Sequence, residues 1–148
     1  MNNQIQTGEY VELILKTCNL AVLASEDNGQ PCASLMAITP FQGVKQILFA
    51  TYRNTRKFEN IIHNGRVALL VQGKDLETTK GNKAYALTAY GYAREVKESE
   101  FEEALHTHLV RHADLDNFLH SSDIAIFSVK VEKYQLVLGI DDVIWCTV

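Results

Sequence analysis

The sequence predicts a mainly β protein, an antiparallel barrel of six or seven strands with about three inserted helices. Short apolar segments rich in β-branched and aromatic residues recur along the chain and are separated by turn residues. Three other segments instead carry apolar residues at helical spacing. One long apolar segment, residues 123–138, changes its alternation midway, which indicates the bend that barrel closure requires.

The whole chain, residues 1–148, is expected to form a single domain. Hydrophobic residues make up 47% and charged residues 22%, the balance of a water-soluble globular protein. The net charge of −4 argues against a nucleic-acid partner. No apolar run is long enough to span a membrane, and the N-terminus lacks a signal-peptide core. We therefore expect no membrane association and a cytoplasmic location, with the three widely spaced cysteines reduced.

The first elements are a helix and a hairpin. Thr7 is the predicted N-cap of the helix, whose apolar residues recur at helical spacing up to Cys18. Residues 20–26 and 31–39 follow as strands, joined by a turn at residues 27–29. A second turn at residues 40–43 leads into the centre of the chain.

The central unit is a strand, a short helix and a second strand. The first strand is residues 46–52, and the second is residues 67–71. Asn54 is the predicted N-cap of the helix, and Asn64 with Gly65 ends it. Both faces of the first strand are largely apolar, so both must be covered. The barrel interior covers one face, and we expect a partner subunit or a ligand to cover the other.

The second half continues the β pattern. Residues 73–83 are predicted to be a polar loop, followed by a strand over 84–96 with a bulge at Gly91. Ser99 begins a capping box for a helix over 99–112. The strand over 123–138 needs a second bulge near residues 132–133, and residues 143–148 form the last strand.

The start of the central helix is unusually basic. Arg53, Arg56 and Lys57 crowd the end where backbone N–H groups already carry a partial positive charge. Such cations are unfavourable unless an anion binds there, and the hydroxyls of Thr51 and Thr55 could add hydrogen bonds to it. Judged on these residues alone, an anion site and an ordinary solvated basic turn remain equally open.

The same segment resembles a known family. Its sequence, FATYRNTRKFENI followed by NGRVALL, is similar to the flavin-mononucleotide (FMN) segment of the pyridoxamine 5′-phosphate oxidase-like split barrels. The resemblance implies the split-barrel fold and FMN as the cofactor. It assigns Thr51, Thr55, Arg56 and Lys57 to the FMN phosphate, a group that we call the phosphate cradle. The remaining implied FMN-binding residues are Tyr52 and, along the flavin ring, Ser34, Leu35 and Met36.

The resemblance also implies a function. We expect a flavin-dependent oxidoreductase that acts on a small-molecule redox substrate, as a homodimer with flavin at its interface. Pyridoxamine phosphate oxidase activity itself is not expected, because the family's basic, Trp-containing C-terminal segment is missing before Val148. Two alternatives remain: a module that carries flavin, the deazaflavin F420 or haem without turnover, and a cofactor-free interaction dimer. No acid–base pair stands out, so no catalytic residue is assigned.

His108 and His112 stand one helical turn apart in the last predicted helix. Two such histidines can bind a metal, but the flanking residues lack the pattern of a metalloprotease helix. We therefore predict that both are packing or interface residues and that the protein has no metal site.

Overall fold

The computed structural model describes the backbone of residues 3–148 and the side chains from Gln6 onward. The elements are, in order, α1 (Asn3–Thr17), β1 (Leu20–Asp27), β2 (Gln30–Ala37), β3 (Thr39–Phe41), β4 (Gln46–Tyr52), α2 (Arg56–His63), β5 (Arg66–Thr78), β6 (Gly81–Glu95), α3 (Glu98–Arg111), a 3-10 turn (Ala113–Leu115), α4 (Asp116–Leu119), β7 (Ile124–Leu138) and β8 (Asp142–Thr147). Among these helices, none combines the length and the apolar character that crossing a bilayer requires.

All eight strands belong to one antiparallel sheet, in the order β2-β1-β5-β6-β7-β4-β3, with β8 also paired to β7. The long strand β7 changes neighbours along its length. Its first half pairs with β4, from Ile124 to Lys130, and its second half pairs with β8, while β6 runs along the other edge. The sheet curls without closing. The predicted mainly β, antiparallel split-barrel fold is confirmed.

A bulge lies where β6 meets the middle of β7. Tyr90 pairs with Lys133 and Gly91 pairs with Val131, so Glu132 has no opposite residue. A Cβ atom on Gly91 would lie 2.2 Å from the backbone oxygen of Lys130, so only glycine fits there. The predicted irregularities at Gly91 and near residues 132–133 therefore belong to a single bulge between β6 and β7.

Two hydrophobic clusters hold the fold. The larger cluster fills the inside of the curled sheet and includes Leu23, Phe49 and Phe127. The smaller cluster lies on the other side of β4, where Leu48 packs with residues of α3 and α4 such as Leu105. Strand β4 is therefore buried on both faces within its own chain. The expectation that a partner or a ligand must cover one of these faces is wrong, because α3 and α4 cover it.

Several predicted helix starts differ from the structure. Thr7 lies inside α1 and is buried, so it packs rather than caps. Thr55, not Asn54, caps α2, because the Thr55 hydroxyl accepts the N–H of Phe58. Helix α3 begins at Glu98 without any side-chain cap, so the predicted capping box at Ser99 is absent.

Two extended segments also differ. The predicted strand over 31–39 is split: β2 ends at Ala37, and β3 turns to pair with β4. Residues 73–83 form the end of the β5–β6 hairpin instead of a loop, with Leu76 opposite Lys83. Backbone ladder bonds and the burial of Leu76 in the larger cluster support these strands, although the composition of the segment is mainly polar. Helix α4 and the 3-10 turn were not predicted.

Candidate functional site

The candidate site begins where β4 passes into α2. The Thr55 hydroxyl accepts the N–H of Phe58 at 3.2 Å and donates to the carbonyl oxygen of Tyr52 at 2.9 Å. The hydroxyl of Thr51, which is buried at the end of β4, lies 3.0 Å from it. The two threonines of the phosphate cradle therefore fix the first turn of α2 against the end of the strand.

Arg56 and Lys57 are the first two residues of α2, so their backbone N–H groups have no partner within the helix. The ammonium of Lys57 lies 3.3 Å from the sulfur of Met36 on β2. Among the residues that the structure describes, no carboxylate forms an ion pair with either side chain. Two positive side chains and two N–H donors thus belong to the first turn of α2, which Thr55 caps, and they are the kinds of donor that an anion requires.

Arg53 is different from the other two cations. Its guanidinium forms an ion pair with Glu95 at the end of β6 and lies 5.7 Å from the ring centre of Phe58. Its backbone N–H donates to the carbonyl of Asp123 at 2.9 Å. Of the three cations in the basic turn, Arg56 and Lys57 are the two that form no ion pair with any described residue.

The remaining predicted cofactor residues divide between two faces. On β2, Met36 is buried on the inner face and Ser34 shares that face, whereas Leu35 points outward and is 65% exposed. Tyr52 also points away from Thr51, and its ring packs edge-on against Phe118 of α4. The structure therefore brings Met36, Thr51, Thr55 and Lys57 together, and it does not bring the side chains of Leu35 and Tyr52 to them.

A cavity of about 650 Å³ runs along the side of α2, between this helix and the β1–β2 turn. Arg56 lines it, together with the carboxylates of Glu26, Asp27 and Glu59. Glu26 accepts hydrogen bonds from the N–H of Gly29 and, at 2.7 Å, from the side-chain amide of Asn64. These bonds lower the pKa of the Glu26 carboxyl, so it is ionised at neutral pH. The cavity is thus mainly acidic and lies beside the phosphate cradle.

His108 of α3 and His112, the residue that follows α3, are buried packing residues. His108 Nδ1 lies 2.8 Å from the Thr39 hydroxyl, and His112 Nε2 lies 2.7 Å from the carbonyl oxygen of Ile38. Burial, followed by the nearby charges of His112 and Arg111, lowers the pKa of His108 to about 4. Across the described side chains, no three His, Cys, Asp or Glu residues converge as a metal site would require.

The family of this chain follows from its similarity to known families. The family described as "Pyridoxamine 5′-phosphate oxidase" matches residues 7–138, which is most of the chain. The chain belongs to this family. The match includes the whole of the phosphate cradle and the strand that carries Met36. The resemblance on which the sequence prediction rested is therefore confirmed.

Solved structures with this split-barrel fold include proteins with different ligands. A heme-binding protein from Mycobacterium smegmatis is 19% identical, with a TM-score of 0.81 over 95% of this chain and 57% of that chain. A FAD-binding protein from Mesorhizobium loti is 15% identical, with a TM-score of 0.69 over 86% and 91% of the two chains. A general stress protein 26-related protein from Clostridium acetobutylicum is 15% identical, with a TM-score of 0.69 over 98% and 94%.

At such identities these likenesses show the fold alone. The chain also spans little more than half the length of the M. smegmatis protein. No curated protein sequence matches the chain.

Sequence reasoning missed two carboxylates that shape the site, Glu95 and Glu26. Glu95 ends β6 and Glu26 is the last residue but one of β1, and they reach Arg53 and Asn64, on either side of α2, through tertiary contacts. Nothing in their local sequence distinguishes them from other exposed glutamates. A register assignment for β6 could have placed Glu95 near the start of β7, but it could not have placed it beside Arg53.

Proposed function

We propose that this protein binds FMN through the phosphate cradle and acts as a flavin-dependent oxidoreductase on a small-molecule redox substrate. The observation that carries the proposal is the pair of cations at the start of α2. Arg56 and Lys57 have no carboxylate partner in the described part of the chain, although three carboxylates line the adjacent cavity. Membership of the pyridoxamine 5′-phosphate oxidase family supports the phosphate of a flavin as the anion that binds there.

The residues present suit a phosphomonoester. A phosphate of this kind carries roughly −1.5 to −2 charges at neutral pH and three acceptor oxygens. Arg56 and Lys57 supply two positive charges, and the first N–H groups of α2 supply two more donors. Lys57 has only the weakly accepting sulfur of Met36 for a partner, so an anion would replace a poor contact by a strong one.

The flavin ring would lie along β2, as the family resemblance implies. Ser34 and Met36 face inward on that strand, and Met36 contacts Lys57, so this strand is within reach of the phosphate cradle. The isoalloxazine would supply the redox chemistry, and this chain would bind and orient it and shield one of its faces from water. The substrate would approach the other face.

We also propose a twofold homodimer. The register aligns Leu35, Val22 and Leu70 across β2, β1 and β5 on the outer face of the sheet. Leu35 is 65% exposed and Leu70 is 41% exposed, and Leu20 and Trp145 are also exposed on this side of the chain. A row of exposed apolar side chains is typical of an interface, and a twofold axis would bury the row on both chains at once. The partner subunit would then contact the flavin ring, for example through its copy of Trp145.

The test is an absorption spectrum of the purified protein, followed by titration with FMN and an assay of NAD(P)H oxidation. The proposal expects a flavin spectrum, or saturable binding of added FMN, and slow flavin-dependent oxidation of the nicotinamide. A haem spectrum would show that the cofactor is haem and not flavin. Binding of FMN without turnover under any donor would leave a flavin carrier, and no binding of either cofactor would overturn the proposal.

A further inference from the structure

Carboxylates lie at two places near the positive charge at the start of α2. In the first region, Glu95 forms an ion pair with Arg53, and the two side chains are 33% and 45% exposed. In the second region, the cavity that Arg56 enters is lined by Glu26, Asp27 and Glu59. Of the three cations Arg53, Arg56 and Lys57, the last two form no ion pair with any described residue.

The first of these regions depends on how Arg53 is held. Its guanidinium lies over the ring of Phe58, the third residue of α2, at 5.7 Å. Glu95 therefore reaches the first turn of α2 through Arg53 and cancels a charge that would otherwise add to those of Arg56 and Lys57. Glu95 is the last residue of β6, and its backbone is fixed by pairing with Phe127 of β7. The carboxylate is thus supplied by a rigid element.

The second region carries a lasting negative charge. Glu26 is held by the N–H of Gly29 and the amide of Asn64, and both bonds favour its ionised form. Asn64 is the residue that ends α2, so this carboxylate is fixed to the same helix that carries the phosphate cradle. A ligand that extended past the cradle on this side would meet Glu26 and its neighbours.

From this arrangement we infer that the carboxylates beside α2, Glu95 above all, restrict the phosphate cradle to ligands with a single phosphate. This inference rests on the proposed function and assigns its selectivity, namely FMN in preference to FAD. The phosphate of FMN is terminal and ends within the cradle. In FAD this phosphate is linked to a second phosphate. Near the cradle the second phosphate would meet the carboxylates of the cavity or Arg53, whose charge Glu95 neutralises. Discrimination then comes from repulsion of the wrong ligand, not from extra contacts to the right one.

The experiment is calorimetric titration of FMN and FAD into the wild type and Glu95→Gln. The variant keeps the shape of the side chain, removes its charge and frees Arg53 for a second phosphate. We expect the wild type to bind FMN more tightly than FAD. In Glu95→Gln the ratio of the FAD to the FMN dissociation constant should fall about three- to tenfold, the effect of one partly exposed charge.

Two further variants make the test specific. Glu132→Gln removes a carboxylate from a similar exposed ion pair with Arg66, which follows the C-terminal end of α2 and so lies at the opposite end of the helix from the cradle, and should leave the ratio unchanged. In the double variant Arg53→Gln/Glu95→Gln the freed cation is absent, so the ratio should return toward that of the wild type. Circular dichroism and thermal unfolding confirm that each variant is folded.

The outcomes separate this inference from the proposed function. If the wild type binds FAD as tightly as FMN, or if Glu95→Gln changes both affinities by the same factor, the inference is wrong and FMN binding stands. If the wild type binds neither flavin, the proposed function is wrong and the inference is lost with it. A fall in the ratio for Glu132→Gln as large as for Glu95→Gln would also overturn the inference, since it would show a general charge effect.

Discussion

The ammonium of Lys57 lies 3.3 Å from the sulfur of Met36, a contact that joins the first turn of α2 to β2. A thioether is a weak acceptor, so the charge of Lys57 remains largely uncompensated. In the proposed flavin complex the phosphate would take the place of the Met36 sulfur beside Lys57, and the ring would lie along β2.

Removing both free cations should abolish tight FMN binding. Each charge-assisted hydrogen bond contributes about 1.5–3 kcal/mol, so Arg56→Ala/Lys57→Ala should weaken binding by several kcal/mol. The apo protein should stay folded and gain slightly in stability, because a cation at a helix N-terminus is unfavourable by about 0.3–1 kcal/mol. Fluorescence titration with FMN and urea unfolding measure the two effects.

The matched control for this variant is Lys80→Ala/Lys83→Ala, which removes two exposed cations from the β5–β6 hairpin. It should bind FMN like the wild type. Wild-type affinity in the Arg56→Ala/Lys57→Ala protein would show that the phosphate is held elsewhere.

A second prediction concerns assembly. Leu70 lies on the outer face of β5 and is 41% exposed in the single chain. Leu70→Glu should leave a folded monomer, because the charge stays hydrated there, but it should break a dimer that buries this face. Ile140→Glu is the control, since Ile140 lies in the β7–β8 turn and is 97% exposed.

Size-exclusion chromatography with light scattering reads out the mass of each protein. We expect a dimer for the wild type and for Ile140→Glu, and a monomer with weakened flavin binding for Leu70→Glu. A monomeric wild type at micromolar concentration with flavin bound would contradict the proposed dimer.

His108 should make the protein less stable in acid. Burial lowers its pKa in the folded state from 6.5 to about 4, so between these values the unfolded state binds more protons. The His108 contribution is therefore fully present above about pH 6.5 and is lost as the pH falls toward 4. The shift corresponds to about 3 kcal/mol of unfolding free energy.

Urea unfolding at several pH values between 7 and 4 measures this loss. His108→Gln should flatten the slope while keeping a partner for the Thr39 hydroxyl, whereas His106→Gln, at an exposed position of the same helix, should not. Equal slopes in His108→Gln and the wild type would assign the acid sensitivity to other groups.

The bulge should tolerate only glycine. In Gly91→Ala the new methyl group would meet the backbone oxygen of Lys130 at 2.2 Å, and the strands would have to separate. We expect a loss of about 1–3 kcal/mol in unfolding free energy. Gly8→Ala, in α1 with open space around it, should instead stabilise by about 0.5–1 kcal/mol. A neutral Gly91→Ala would mean that the bulge relaxes freely.

The sequence by itself determined the elements whose information is local. The bounds of β4 follow from its unbroken apolar run, and the bulge follows from Gly91 and the change in alternation near residue 132. The basic start of α2 could also be recognised, because Arg53, Arg56 and Lys57 lie within five residues of sequence and break a helix rule together. The assignment of the phosphate cradle to FMN came from the family resemblance and stays a prediction. Periodicity and helix-end chemistry act over a few residues, so a sequence displays them directly.

Only the tertiary structure decided what lies against these elements. It placed α3 and α4 on the outer face of β4, where the sequence suggested a partner, and it left the apolar face of β1, β2 and β5 exposed. It also joined Arg53 to Glu95, which are far apart in the chain, and so reduced three apparent cations to two. Such contacts depend on strand order and on the curl of the sheet, and neither is encoded in the spacing of neighbouring residues.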